Sequence, residues 1–200
     1  MVKSIDVSEC GLLDGFLSRK RAKRVNKLIP HSHRSGKILD IGCGMYPYFL
    51  LNTDFSEKHG LDRVIVPNAS AFSEKLCIKD YDLEKELTIP YADNSFDVLT
   101  MLAVFEHFDK EKLILILREV KRVLKPGGVF ILTVPAGWTD KLLTIMAKFK
   151  LVSASLFNEH KDTYTHKKIV SLLQTAGFQK EKMHFGYFEI FMNLWVKVTK

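Results

Sequence analysis

The residues best suited to chemistry stand in one run, Lys37-Ile-Leu-Asp-Ile-Gly-Cys-Gly-Met-Tyr-Pro47. Gly42 and Gly44 can take positive φ and, having no Cβ, let a ligand approach bare backbone. Asp40 adds a carboxylate just before them. Lys37 to Ile41 has the composition of a buried strand, and Pro47 suits the first position of a helix, where its missing N–H would be unpaired anyway. Strand, glycine turn and helix N-terminus together make a place for a nucleotide-like ligand. A dinucleotide fingerprint asks for a third glycine three residues after the second. That position is Pro47, so the turn fits NAD poorly. Two glycines alone also suit an ordinary tight β–α turn.

Several elements must position that turn. Leu113, Ile116, Leu117, Val120 and Leu124 form one apolar stripe and predict a helix over Lys110–Lys125. Pro126-Gly127-Gly128 ends it, and Val129 to Val134 reads as a buried strand. Phe96 to Ala103 suits a central parallel strand, Leu76–Asp80 a short one, and Lys182–Tyr187 with Ile190–Val198 a closing hairpin. Another strand is expected to finish near Gly60-Leu61-Asp62, although Val64-Ile-Val66 is the more strand-like run. Residues 1–30 read as helical up to Pro30, and Lys167–Ala176 as a helix ended by Gly177.

Taken in order, these pieces resemble the class I S-adenosylmethionine-dependent methyltransferases. Asp40, Gly42 and Gly44 match the acidic-x-Gly-x-Gly of that family's first motif, with Tyr46 where a third glycine is frequent. Asp82-Leu83, Ser95-Phe-Asp97, Glu106-His107 and Leu124-Lys-Pro-Gly-Gly128 follow in the family's order. Glu159-His-Lys-x-x-Tyr164, then a helix and Ala176-Gly-Phe178, is similar to the small-molecule branch that includes ubiquinone and menaquinone methyltransferases. The resemblance implies a Rossmann-like, doubly wound α/β fold with a seven-stranded, mostly parallel sheet and an antiparallel last strand. It implies S-adenosyl-L-methionine as cofactor, held by Asp40 and the Gly42-Cys43-Gly44 turn. An acidic residue about 20 positions past the turn would grip the ribose. Asp62 takes that place, with Asn68 as the alternative if Val64–Val66 is the strand. Asp82 and the backbone of Leu83 would read the adenine, Asp80 being the nearer alternative, and the backbone of Leu102 would face the methionine part. His160 is a candidate base and Tyr164 a candidate neighbour of the acceptor. His107 reads better as a structural histidine than as a base.

Composition sets outer bounds. The chain has 200 residues, 46% hydrophobic and 26% charged, the profile of a soluble globular protein of one domain. Within it, residues 1–36 form an N-terminal helical segment and 135–165 an insert too long for a simple β–α connection. No apolar run approaches the ~20 residues of a membrane span, and the first residues lack the apolar core of a secretion signal. Cys10, Cys43 and Cys77 fit no paired metal spacing and read as reduced cytoplasmic thiols. His31 and His33 have no further ligands nearby, so no metal is expected.

The net charge of +7 is concentrated in Ser18–Lys27, where six of ten residues are basic. That run attracts RNA or an anionic membrane surface, or is the solvated face of a helix whose inner side is Leu17, Val25 and Leu28. The insert is apolar and basic, which suits a lid over a small-molecule or lipid-linked acceptor with peripheral membrane contact, or a helix on the core. Where amino-methyltransferases of DNA and protein carry Asn/Asp-Pro-Pro-aromatic, this chain has Met101-Leu-Ala-Val104. A small or lipid-linked acceptor is therefore favoured. An RNA-modifying enzyme and a non-catalytic adenosine-binding or partner-binding module on the same fold are the alternatives.

Overall fold

The computed structural model describes residues 14–63, 76–136, 164–189 and 192–200. Among them, a seven-stranded sheet runs in the order β3-β2-β1-β4-β5-β7-β6. The strands are β1 (Lys37–Ile41), β2 (Glu57–Asp62), β3 (Leu76–Asp80), β4 (Phe96–Leu102), β5 (Leu124–Pro135), β6 (Met183–Phe188) and β7 (Asn193–Thr199). All neighbours from β3 to β5 pair in parallel, and β7 pairs antiparallel to both β5 and β6. This is the doubly wound sheet with an antiparallel last strand that the sequence implies. No described helix is long and apolar enough to cross a membrane.

Helices lie on both faces: α1 (Asp14–Leu28), α2 (Tyr48–Leu51), α3 (Leu83–Glu86), α4 (Lys110–Val123) and α5 (His166–Thr175). Alternation along the central strands feeds two cores. Val98, Val129 and Ile131 pack with Ala22 and Val25 of α1 and with Ile29 just past its end, while Leu99, Met101, Phe130 and Leu132 pack with the α4 stripe. The inner side of α1 is thus Ala22 and Val25, with Leu28 only partly buried and Leu17 on the flank.

β2 ends at Asp62, as expected, because its backbone pairs with β1 and β3 although its side chains are largely polar; other boundaries differ from expectation. Residues 64–75, including Asn68, lie outside the described residues. α4 stops at Val123, where Leu124 already pairs with Phe96. The Pro126-Gly127 step falls inside β5, in a register shift of the β4–β5 ladder. Pro47 occupies the N-cap of α2 rather than its first turn, and α5 begins at His166, capped by the Thr165 hydroxyl on the Lys168 N–H at 3.3 Å. The approach to β4 is held by Arg122, whose guanidinium donates to the carbonyls of Ile89 and Tyr91 and to Asp93 and Glu119.

Candidate functional site

β1 is the strand at which the order reverses: the chain proceeds to β2 and β3 on one side and returns to β4 on the other. Ligands in open α/β sheets bind in the crevice beyond the carboxyl ends of strands at such a point. The Asp40–Gly44 turn emerges there. Gly42 donates its N–H to Leu61 O at 2.8 Å and Gly44 donates to Asp62 Oδ2 at 2.7 Å, so the turn is tied to the end of β2. The two glycines are required for different reasons. At Gly42 (φ +72°) a Cβ would stand 2.3 Å from Val104 Cγ2, whereas at Gly44 (φ +74°) it would meet nothing nearer than 3.9 Å. The first position is closed by packing. The second is an open cradle that only its backbone conformation reserves for glycine.

Two carboxylates share this edge. Asp40 is 2% exposed, and its Oδ1 accepts from the Thr100 hydroxyl of β4 at 2.6 Å. Burial raises its pKa to about 7. The Asp62 charge adds to the rise, and the Thr100 hydrogen bond and the Arg21 charge oppose it. Cys43 is buried, its sulfur against Gly60, where a Cβ would come within 2.7 Å. Burial first, then the Asp40 and Asp62 charges, push its thiol well above the ordinary range. Cys43 therefore offers a ligand its backbone and not a thiolate.

The remaining candidates are distributed around this centre. Asp82 caps α3, accepting from the N–H groups of Glu84 at 3.1 Å and Lys85 at 3.3 Å, and pairs with the Lys85 ammonium at 3.0 Å. Burial raises its pKa, and the Lys85 and backbone hydrogen bonds outweigh that, so it stays below the usual carboxylate range. Leu83 is buried in the core. Asp80, at the end of β3, pairs in register with Asp62. Leu102 ends β4 and is half-buried. Tyr164, a candidate neighbour of the acceptor, is 2% exposed, edge-on to Phe105 at 5.0 Å in the core. The need to bury a large ring against the turn after β4 keeps it out of the surface, while its hydroxyl lends the segment a polar look in sequence. His160 lies outside the described residues, as does most of the 135–165 insert.

Two contributors escape a sequence reading. Ala103 adopts φ +56° directly after β4, with its N–H on Thr133 O at 2.9 Å, and this turn sets Val104 over Gly42. Nothing in alanine signals a left-handed position. Arg21 belongs to the basic run of α1, yet its charge acts on both Asp40 and Glu189. Counting the run as a solvated face hides that one member. Buried Asp40 and half-buried Asp62 beside open glycine backbone can accept hydrogen bonds from hydroxyls and balance a cationic ligand, and that is the chemistry a sulfonium-bearing nucleoside needs.

Comparison with known proteins points the same way. Residues 13–182 match the family model described as a methyltransferase domain. The chain is 30% identical over 152 residues to the methyltransferase GfsG of Streptomyces halstedii, covering 70% of this chain and 52% of that protein. It is 30% identical over 117 residues to the probable tRNA methyltransferase 9B of Bos taurus, covering 56% of this chain and 24% of that protein. The chain spans between a quarter and a half of the first curated relatives it matches. Among solved structures, a Thermotoga maritima S-adenosylmethionine-dependent methyltransferase, described as a possible histamine N-methyltransferase, superposes with a TM-score of 0.68 at 17% identity, covering 92% of this chain and 89% of that one. That likeness concerns the fold.

Proposed function

Because the chain belongs to the class I S-adenosylmethionine-dependent methyltransferase family, we propose that it transfers the methyl group of that cofactor to a small or lipid-linked metabolite by in-line displacement. The observation that carries this reading is the pair of carboxylates beside the glycine turn at the reversal point of the sheet, Asp62 accepting the Gly44 N–H and Asp40 the Thr100 hydroxyl. Asp62 accepts the ribose hydroxyl protons while its other role, on the Gly44 N–H, fixes the loop. Asp82 and the Leu83 backbone lie on the adenine side, and the Leu102 backbone on the methionine side. Asp40 holds the turn through Thr100 and supplies negative potential.

S-Adenosylmethionine supplies a methyl already activated on its sulfonium. The protein's part is alignment of donor and acceptor, which lowers a barrier by about 7–11 kcal/mol at best. His160 is our candidate to take a proton from a hydroxyl or ammonium acceptor, and the 135–165 insert our candidate cover for the acceptor. The RNA reading keeps support from the basic face of α1 and from the tRNA methyltransferases among the relatives. Calorimetric titration of ligand-free protein with S-adenosylmethionine, its demethylated product and NAD tests the cofactor. Binding of the first two without NAD is expected, and NAD binding alone refutes the reading. His160→Ala is expected to slow turnover with cofactor affinity unchanged, and full turnover removes it from the mechanism.

A further inference from the structure

One face of α1 is not used by the cofactor site. Phe16, Lys20, Lys23 and Lys27, with Leu17 and Arg24 beside them, recur at helical spacing and border a cavity of about 410 Å³ between α1 and the β6–β7 turn. That volume lies within the range of small-molecule sites. From the turn, Phe188 and Met192 close the cavity opposite α1, so its apolar wall is Phe16, Leu17, Phe188 and Met192. Its charged wall is Lys20, Lys23, Arg24 and Lys27, four cations against the single carboxyl of Glu189.

Lys20 stands at the apolar end, its ammonium over the Phe16 ring at 5.2 Å, and the other cations are set apart from the apolar wall along the helix. Phe16 and Leu17 lie at the end of α1 near the β6–β7 turn, and that turn sits at the carboxyl edge, since Asn193 pairs with Pro135 at the end of β5. Lys23 and Lys27, both exposed, lie two and three turns further along, about 10 and 16 Å from Phe16 at 1.5 Å per residue. Arg24 is fixed between them by its guanidinium over the Trp195 ring at 5.0 Å. Glu189 is held by Asn193 Nδ2 at 2.6 Å at the apolar end. A carboxyl there turns an anionic group away from the carboxyl edge and toward Lys23 and Lys27.

We propose that this groove binds the methyl acceptor and that the acceptor is an amphiphilic phosphate ester. Its apolar body lies on Phe16, Leu17, Phe188 and Met192 beside the carboxyl edge, and its phosphate is anchored by Lys23, Arg24 and Lys27. A phosphate monoester carries nearly two charges and three acceptor oxygens, which suits several cations in a row better than a carboxylate does. A nucleic-acid backbone would use the same cations but would leave a concave apolar wall without a partner. The inference rests on the methyltransferase reading and adds the acceptor's class to it.

The test is calorimetry on the full chain saturated with the demethylated cofactor, using decyl phosphate below its micelle concentration, decyl maltoside, inorganic phosphate and a ten-nucleotide single-stranded RNA. Decyl phosphate is expected to bind one to one and more tightly than either decyl maltoside or inorganic phosphate. Reversing both exposed lysines, K23E with K27E, is expected to weaken it by about tenfold or more, with affinity for the demethylated cofactor and Tm unchanged. Phe16→Ala is expected to weaken decyl phosphate and leave inorganic phosphate as it was, which keeps the test valid if the double variant is unstable. Equal binding of decyl maltoside, or indifference to both variants, overturns the proposal. So does tight RNA binding lost in K23E/K27E while decyl phosphate fails to bind. Failure of the demethylated cofactor to bind the unaltered protein would instead refute the underlying methyltransferase reading.

Discussion

The two edges of the parallel sheet treat a carboxylate in opposite ways. At the amino edge, Asp97 at the start of β4 accepts the Lys37 N–H at 2.8 Å and the Lys125 ammonium at 2.7 Å. Burial pushes its pKa up, but those hydrogen bonds and the Lys125 and His33 charges outweigh it and hold the carboxyl below its ordinary value. At the carboxyl edge, Asp40 is more deeply buried, receives one hydroxyl, faces the like charge of Asp62, and titrates near 7. One carboxylate staples strands together. The other, Asp40, is kept at an electrostatic cost, and perturbed carboxylates of that kind cluster at functional sites.

Substitutions sharpen the contrast. Gly42→Ala is expected to have the largest effect on the fold, since it combines positive φ with a Cβ driven into Val104. A loss of about 3 kcal/mol in denaturant unfolding is expected. Gly44→Ala, in open space at the same φ, is expected to cost only about 1 kcal/mol. Similar losses at both would mean that Val104 does not press on the turn. Asp97→Ala is expected to cost about 2 kcal/mol through two lost charge-assisted hydrogen bonds, and to leave affinity for the demethylated cofactor unchanged. A weakened cofactor would end the division between a structural and a functional edge.

The two edges also differ in pH dependence. Asp40 holds its proton to about 7 when folded, against an ordinary value of 3.8. Between about pH 4 and 7 the native state therefore binds more protons than the unfolded one, and this group lowers stability as pH rises. Asp97 has the opposite sign, its contribution being present above the ordinary value and lost as pH falls through its lower folded one. Asp40→Asn is expected to remove the downward slope between about pH 4 and 7, read from Tm against pH. An unchanged slope would show that Asp40 is not its source.

How much of this was legible follows from what pattern can carry. The α4 stripe, the glycine turn and the central strands announce themselves by period and composition, since burial on one or both faces leaves a repeating apolar mark. β2 carries no such mark. Its Glu57-Lys-His59 start is polar, and only pairing with β1 and β3 makes it a strand, so Val64–Val66 is the more strand-like run in composition although the spacing from Asp40 favours Asp62. Asp62 was legible by its distance from Asp40, but its bond to the Gly44 N–H was not, because that depends on the loop path. Asp82 reads equally as a reader of adenine or a helix cap, and its hydrogen bonds are those of a cap. The basic run on α1 gives its charge in sequence. Only packing tells which cations line the groove and which face water.

The most direct measurement is the affinity for the demethylated cofactor of Asp62→Ala beside Asp97→Ala, with Tm recorded for each. A carboxylate that grips ribose hydroxyls and anchors Gly44 is worth about 10- to 100-fold in affinity. The account predicts that loss for Asp62→Ala and none for Asp97→Ala. Unchanged binding in Asp62→Ala would contradict it and move the ribose role to Asn68.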